Sequence, residues 1–128
     1  MSLLRGIFRS TVYVRVHPNR FVLRHVESGR TATIDAHDAF TTRRILVGEY
    51  GPAVDALRRG FKELNYGLRY LSDPVAVMHP LAMVEGGLSG VEYRILFEVA
   101  EGAGAKRATV WVGAELTDDQ VRDKARAA

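Results

Sequence analysis

Chemistry near neutral pH would fall first to the four histidines, His17, His25, His37 and His79. They are scattered, with no H-x3-H spacing, so turn and surface positions suit them better than a shared metal site. Asp118, Asp119 and Asp123 could in principle supply paired carboxylates for acid–base work. Thr117 directly before them makes a helix start the better reading, with the threonine as N-cap and the acids where the helix dipole favours negative charge. An enzyme in this chain would have to rely on His79 or on the Asp118/Asp119 pair. Ser28 and Ser89 lie in turns without a G-x-S-x-G elbow. Gly86 and Gly87 are too sparse for a phosphate cradle, and neither G-x-x-x-x-G-K-[ST] nor G-x-G-x-x-G occurs. With no cysteine there is no thiol nucleophile, thiolate metal site or disulfide. The residues point to no catalytic site, no metal and no cofactor.

The elements that carry these residues follow from hydrophobic period. Residues 11–16 alternate and are β-branched, residues 17–20 hold turn chemistry around Pro18, and residues 21–26 resume the strand pattern. A turn at 27–30 and a strand at 31–34 complete an antiparallel meander. Ile45, Leu46 and Val47 read as a further short strand ended by Gly48. Val54, Leu57, Phe61, Leu64, Leu68 and Leu71 then fall on one stripe of a helix over residues 52–72, opened by Pro52 and ended by Asp73 and Pro74. Gly60 and Gly67 each cost such a helix ~1 kcal/mol relative to alanine, so packing must hold it. Residues 75–78 read as a buried strand closed by His79 and Pro80. Residues 91–100 fit two patterns: Ser89 and Glu92 could form a capping box that opens a helix, while Val91, Tyr93, Ile95, Phe97 and Val99 alternate as in a strand. A strand at 108–112 and a helix from Thr117 to the end close the chain.

At 128 residues, 47% hydrophobic and 26% charged, the chain has the size and composition of one globular domain able to bury a core. Its longest apolar runs, 75–78 and 81–84, are far below the ~20 residues that span a bilayer. The net charge of +3 is uneven, because residues 1–30 hold six arginines against one acid, Glu27. Aromatics interleaved with these basic strands are limited to Tyr13 and Phe21, which argues against a nucleic-acid partner. Residues 1–10 place Leu3, Leu4, Ile7 and Phe8 on one helical face beside Arg5 and Arg9. The segment lacks the apolar centre and cleavage site of a secretory signal. It suits either an interfacial membrane helix with its arginines at anionic headgroups, or a helix packed on its own domain.

In this order the elements resemble the N-terminal part of the MreB family of bacterial actin homologues, the rod-shape-determining cytoskeletal branch of the actin/Hsp70 superfamily. Residues 4–8 resemble the family's amphipathic membrane-binding helix, and residues 12–26 its first two strands. Residues 44–48 are similar to the strand and glycine before a family helix. Residues 75–80 with 85–88 are similar to its apolar strand, proline and D-G-V-I-like loop. Residues 107–113 with Thr117 and Gln120 resemble the strand, turn and threonine-started helix that close the first subdomain. The resemblance implies an α/β fold, with α+β the alternative: an actin-like or ribonuclease-H-like mixed sheet with packed helices. It also implies a helix for residues 91–100.

Against the family pattern, the D-L-G-T phosphate loop falls on Arg15, Val16, His17 and Pro18. An arginine replaces the Mg²⁺-holding aspartate, His17 replaces the glycine that admits phosphate, and Pro18 has no N–H to donate. Gln120 sits where the family positions the attacking water, but without a phosphate loop it reads as a surface residue. The 52–72 helix is longer than the family's equivalent. The expectation is a nucleotide-free, non-enzymatic module with residues 1–10 as an amphipathic helix and 11–128 as one truncated actin-like subdomain. Leu3, Leu4, Arg5, Ile7, Phe8 and Arg9 would attach it to anionic lipid on the inner face of the cytoplasmic membrane. Bacterial actin filaments or other cytoskeletal proteins are the expected partners, with a small protein-binding module of another pathway as the alternative.

Overall fold

In the computed structural model, which describes residues 9–65 and 72–128, the alternating N-terminal residues form three antiparallel strands, β1 (Arg9–His17), β2 (Arg20–His25) and β3 (Thr31–Asp35). Helix α1 (Tyr50–Asn65) follows, then β4 (Ser72–Pro80), α2 (Gly90–Ala103), β5 (Arg107–Val110) and α3 (Asp118–Arg126). β4 runs parallel to β1, and β5 parallel to β4, so the five strands stand in the order β3-β2-β1-β4-β5. This is the mixed α/β sheet expected, with the N-terminal meander on one side and the parallel pair on the other.

Strand alternation sends side chains to two layers. Val12, Val14, Val16, Phe21, Leu23, Ile34, Ala76 and Met78 meet Leu57, Phe61 and Leu64 of α1 and Leu96 and Val99 of α2 in the main core. Tyr13, Val75 and Val77 face the other way onto Val121 and Ala125 of α3. α1 comes so close to the sheet that a Cβ on Gly60 would meet Leu23 Cδ2 at 2.9 Å and Ile34 Cγ1 at 3.3 Å. Gly60 is therefore a close-approach residue, and its helix-propensity cost is offset by packing.

Residues 90–103 are helical. Ser89 is the N-cap, with its hydroxyl accepting from Glu92 N–H and Glu92 returning a bond to Ser89 N–H. Thr117 and Gln120 build the same box at α3. One expectation fails and two differ at their ends or lie largely outside the described residues. Ile45–Val47 is no strand: Gly48 N–H bonds Phe40 O, Thr42 N–H bonds Ile45 O, and Thr41 Oγ1 donates to Leu46 O, so these carbonyls are bonded within the loop while Leu46 and Val47 plug the core. The helix expected to run to Ser72 is described only to Asn65; Leu68 and Leu71 lie outside the described residues, and Ser72, Asp73 and Pro74 already belong to β4. The N-terminal helix expected over 1–10 overlaps β1 at Arg9 and Ser10, and its first eight residues lie outside the described residues.

Candidate functional site

In sheets of this order, ligands bind where the chain switches direction, outside the carboxyl ends of the parallel strands. Here that place lies at the ends of β1, β4 and β5. The sequence expectation put a degenerate phosphate loop on residues 15–18, but the structure takes Arg15, Val16 and His17 into β1, with Val16 fully buried. Only Pro18 and Asn19 remain as the turn, and His17 pairs directly with Arg20. Asn19 has φ +56°, as the residue after a turn proline requires in a type II turn.

The turn is stitched from inside by the 36–48 loop. Asn19 N–H donates to Thr41 Oγ1 at 3.0 Å, and Asn19 Oδ1 accepts from Phe40 N–H and Thr41 N–H, each at 2.9 Å. Asn19 O accepts from Ala36 N–H at 2.9 Å. Pro18 has no N–H, and Asn19's is already given away. The family resemblance set Arg15 against a magnesium-holding aspartate. Its guanidinium lies over the Tyr13 ring at 4.9 Å, with Nε 3.5 Å from Glu115 Oε1. These residues do not fit a magnesium nucleotide.

Behind Arg15 lies a polar cluster whose pairing spans 66 residues of sequence. Tyr13 and His79, on adjacent strands and both essentially without exposure, stack with ring centroids 5.7 Å apart. His79 Nε2 is 2.9 Å from Gly113 O, so it carries the proton and donates. Nδ1 is then an acceptor, and the Tyr13 hydroxyl donates to it at 2.6 Å while itself accepting from Leu116 N–H at 3.2 Å. Burial lowers the pKa of His79; its bond to Gly113 O and nearby Glu115 act against this, while Arg15 reinforces it. The cluster ties β1 and β4 to the 111–117 connection. Both ring nitrogens are engaged, which suits a neutral structural imidazole.

The other sequence candidates are dispersed. Asp118 is held by Arg24 through two 2.9 Å bonds, Nε to Oδ1 and Nη2 to Oδ2, which join β2 to the start of α3. The Arg24 hydrogen bond lowers the Asp118 pKa, and the same bond raises that of Arg24. Asp119 and Asp123 pair with Arg122 and Arg126 of their own helix. His25 Nδ1 lies 2.6 Å from Ser28 Oγ, which also accepts from Arg30 N–H and so closes the β2–β3 turn. His37 lies 3.9 Å from Asp55. Gln120 Oε1 caps α3. Among the described residues no three His, Asp or Glu side chains are grouped to hold a metal ion, and no helix is long and apolar enough to cross a membrane. Leu3, Leu4, Arg5, Ile7 and Phe8 lie outside the described residues, while Arg9 opens β1 opposite Ser72 of β4.

No protein-family model matches the chain. Uncharacterized protein YjaA of Escherichia coli strain K12 is 35% identical over 99 residues, which cover 73% of this chain and 76% of YjaA. Among solved structures, the ethanolamine utilization protein EutJ from Carboxydothermus hydrogenoformans matches with a TM-score of 0.53 at 18% identity, over 80% of this chain and 36% of EutJ. At that identity the likeness shows the fold alone, which is actin-like. The chain spans about a third of EutJ's length.

Proposed function

Because the chain belongs to the same family as Escherichia coli YjaA and has an actin-like fold, we propose that it is a non-enzymatic, nucleotide-free actin-like module, accessory to the bacterial cell-shape cytoskeleton at the inner membrane surface. The observation that carries the nucleotide-free part is the β1–β2 turn. In place of an open cradle it holds Pro18 and an Asn19 whose backbone and side-chain oxygens are bonded to residues 36–41. Isothermal titration with Mg-ATP should give no binding heat; micromolar affinity would overturn the reading.

Membrane attachment is supported by sequence and register together. Arg9 pairs with Ser72, so β1 and β4 begin side by side, and in the sequence residues 1–8 and 66–71 directly precede them. Both segments mix apolar residues with arginine: Leu3, Leu4, Arg5, Ile7 and Phe8 in the first, and Tyr66, Leu68, Arg69, Tyr70 and Leu71 in the second, with no acid in either. Wild-type protein should sediment with anionic vesicles and the Ile7→Glu/Phe8→Glu variant should not; equal binding removes the anchor.

The cytoskeletal role rests on analogy of fold, and fold alone does not fix function. A second reading, a protein-binding module of another pathway, is favoured by Tyr93 and Phe97, one helical turn apart on α2 and 39% and 37% exposed. Co-purification with a full-length bacterial actin supports the first reading. Recovery of unrelated partners alone favours the second.

A further inference from the structure

A groove of about 300 Å³ opens between the C-terminal half of α1 and the C-terminal end of α2. Its floor is apolar, made by Phe61, Pro74 and Ala103, with the left-handed Gly104 (φ +119°) at one side. Its rim carries two exposed cations, Arg58 and Lys62, one helical turn apart. Arg58 is exposed and anchored by a 2.9 Å bond from Nη2 to Gly102 O. Lys62 has no ion-pair partner among the described residues. Among the described residues no carboxylate lines the groove, and Asp73, beside Pro74, is paired with Lys106 at 3.4 Å.

We propose that this groove binds the headgroup of an anionic phospholipid, with the phosphodiester on Arg58 and Lys62 and the first methylenes on Phe61, Pro74 and Ala103. The inference rests on the membrane-surface reading and names the lipid contact that reading lacks. Two arguments select this occupant. The charge is complementary: two cations meet a phosphate with no facing acid, over a floor that suits hydrocarbon rather than a free ion. The position is also right. Pro74 lies two residues beyond Ser72, the partner of Arg9, so the first residue of β1 lies beside the groove. At the lower end of the ~300–1,000 Å³ range of ligand pockets, the volume suits a headgroup and the start of its chains, not a whole lipid.

The test is a ¹H–¹⁵N titration of the full chain with dihexanoyl phosphatidylglycerol below its micellar concentration, with dihexanoyl phosphatidylcholine and inorganic phosphate as parallel arms. The expected result is saturable shifts at Phe61, Lys62, Gly102 and Gly104 with phosphatidylglycerol, and at least tenfold weaker binding in Arg58→Glu/Lys62→Glu. These exposed substitutions should leave the spectrum dispersed. Equal shifts from inorganic phosphate would reassign the groove to a free anion and overturn the lipid proposal. Absent shifts, or shifts unchanged in the double variant, would overturn it as well. Vesicle binding separates this from the parent reading: sedimentation without groove shifts removes the groove alone. Groove shifts without sedimentation remove the anchor alone.

Discussion

Lowering the pH from 7.5 to 5.5 should weaken the fold through two buried histidines, and the effect can be worked from the structure. His79 is held as the neutral Nε2–H tautomer between Gly113 O and the Tyr13 hydroxyl, and burial lowers its pKa below the ordinary 6.5. Burial also lowers the pKa of His25, whose Nδ1 meets Ser28 Oγ. A group whose pKa is depressed on folding leaves the unfolded chain binding more protons below 6.5, so stability falls as pH falls. At pH 5.5 an unfolded histidine is about nine-tenths protonated, so a histidine that stayed wholly neutral in the fold would set a ceiling of about 1.4 kcal/mol on the loss relative to pH 7.5. For two such groups the ceiling is about 3 kcal/mol against the ~5–15 kcal/mol that stabilises a domain, and Glu27, 3.5 Å from His25 Nε2, opposes the lowering at His25. The lowered carboxyl of Asp118 acts in a separate window, below its ordinary 3.8, and does not contribute in this interval.

Protonation of His79 turns Nδ1 into a donor facing the Tyr13 hydroxyl, which already accepts from Leu116 N–H. Arg15, over the Tyr13 ring, adds a second positive charge nearby and Glu115 partly offsets it. Urea unfolding at pH 7.5, 6.5 and 5.5 measures the loss. His79→Gln and His25→Gln should each reduce the pH dependence. Tyr13→Phe, which orphans Leu116 N–H and His79 Nδ1, should cost about 2–3 kcal/mol at pH 7.5. A His79→Gln variant with the wild-type slope would refute the reasoning, as would ¹⁵N imidazole signals showing His79 titrating at or above 6.5.

Gly60→Ala gains ~1 kcal/mol of helix propensity but drives a methyl to within 2.9 Å of Leu23 Cδ2. Overpacking of this kind costs ~1–3 kcal/mol, so the variant should unfold at lower urea with an unchanged m-value. Asp118→Asn removes the charge from a two-bond pair with Arg24 whose side chains are 41% and 34% exposed. The loss should be about 1 kcal/mol and should shrink in 1 M salt, measured by thermal unfolding at both ionic strengths.

The elements that could be read in advance are those whose physics is local. Alternation over 11–16, Pro18 before a positive-φ Asn19, and the Val54, Leu57, Phe61, Leu64 stripe each declare themselves within a few residues. Residues 91–100 fitted both periods because α2 keeps Val91, Tyr93 and Phe97 exposed and buries Leu96, Val99 and Ala100. The Ser89/Glu92 capping box, a local signal, agrees with the helix. Ile45–Val47 misled because apolar residues that plug a core from a loop look like a short strand. The polar cluster was unreadable for a different reason. Tyr13 and His79 lie 66 residues apart and Arg24 and Asp118 lie 94 apart, so their pairing exists only once sheet order and register are set. One cue was present: a histidine inside an apolar strand must find partners when buried.

A fold that cradles a phosphate keeps backbone donors turned outward and unpaired until the ligand arrives, and carries that cost in its free state. At the corresponding turn this chain does the opposite. The Asn19 N–H and both Asn19 oxygens are bound to residues 36–41, and Thr41 passes its hydroxyl proton on to Leu46 O. The 36–48 loop thereby gains its own order, since Phe40, which donates to Asn19, stacks on Phe21 of β2 with ring centroids 4.9 Å apart. Polar groups that could have served a ligand are spent on joining the first hairpin to the loop before α1. Below them the Tyr13–His79 pair joins the hairpin to the parallel strands without charge. Both devices favour one rigid arrangement of the strand ends rather than two arrangements separated by ligand.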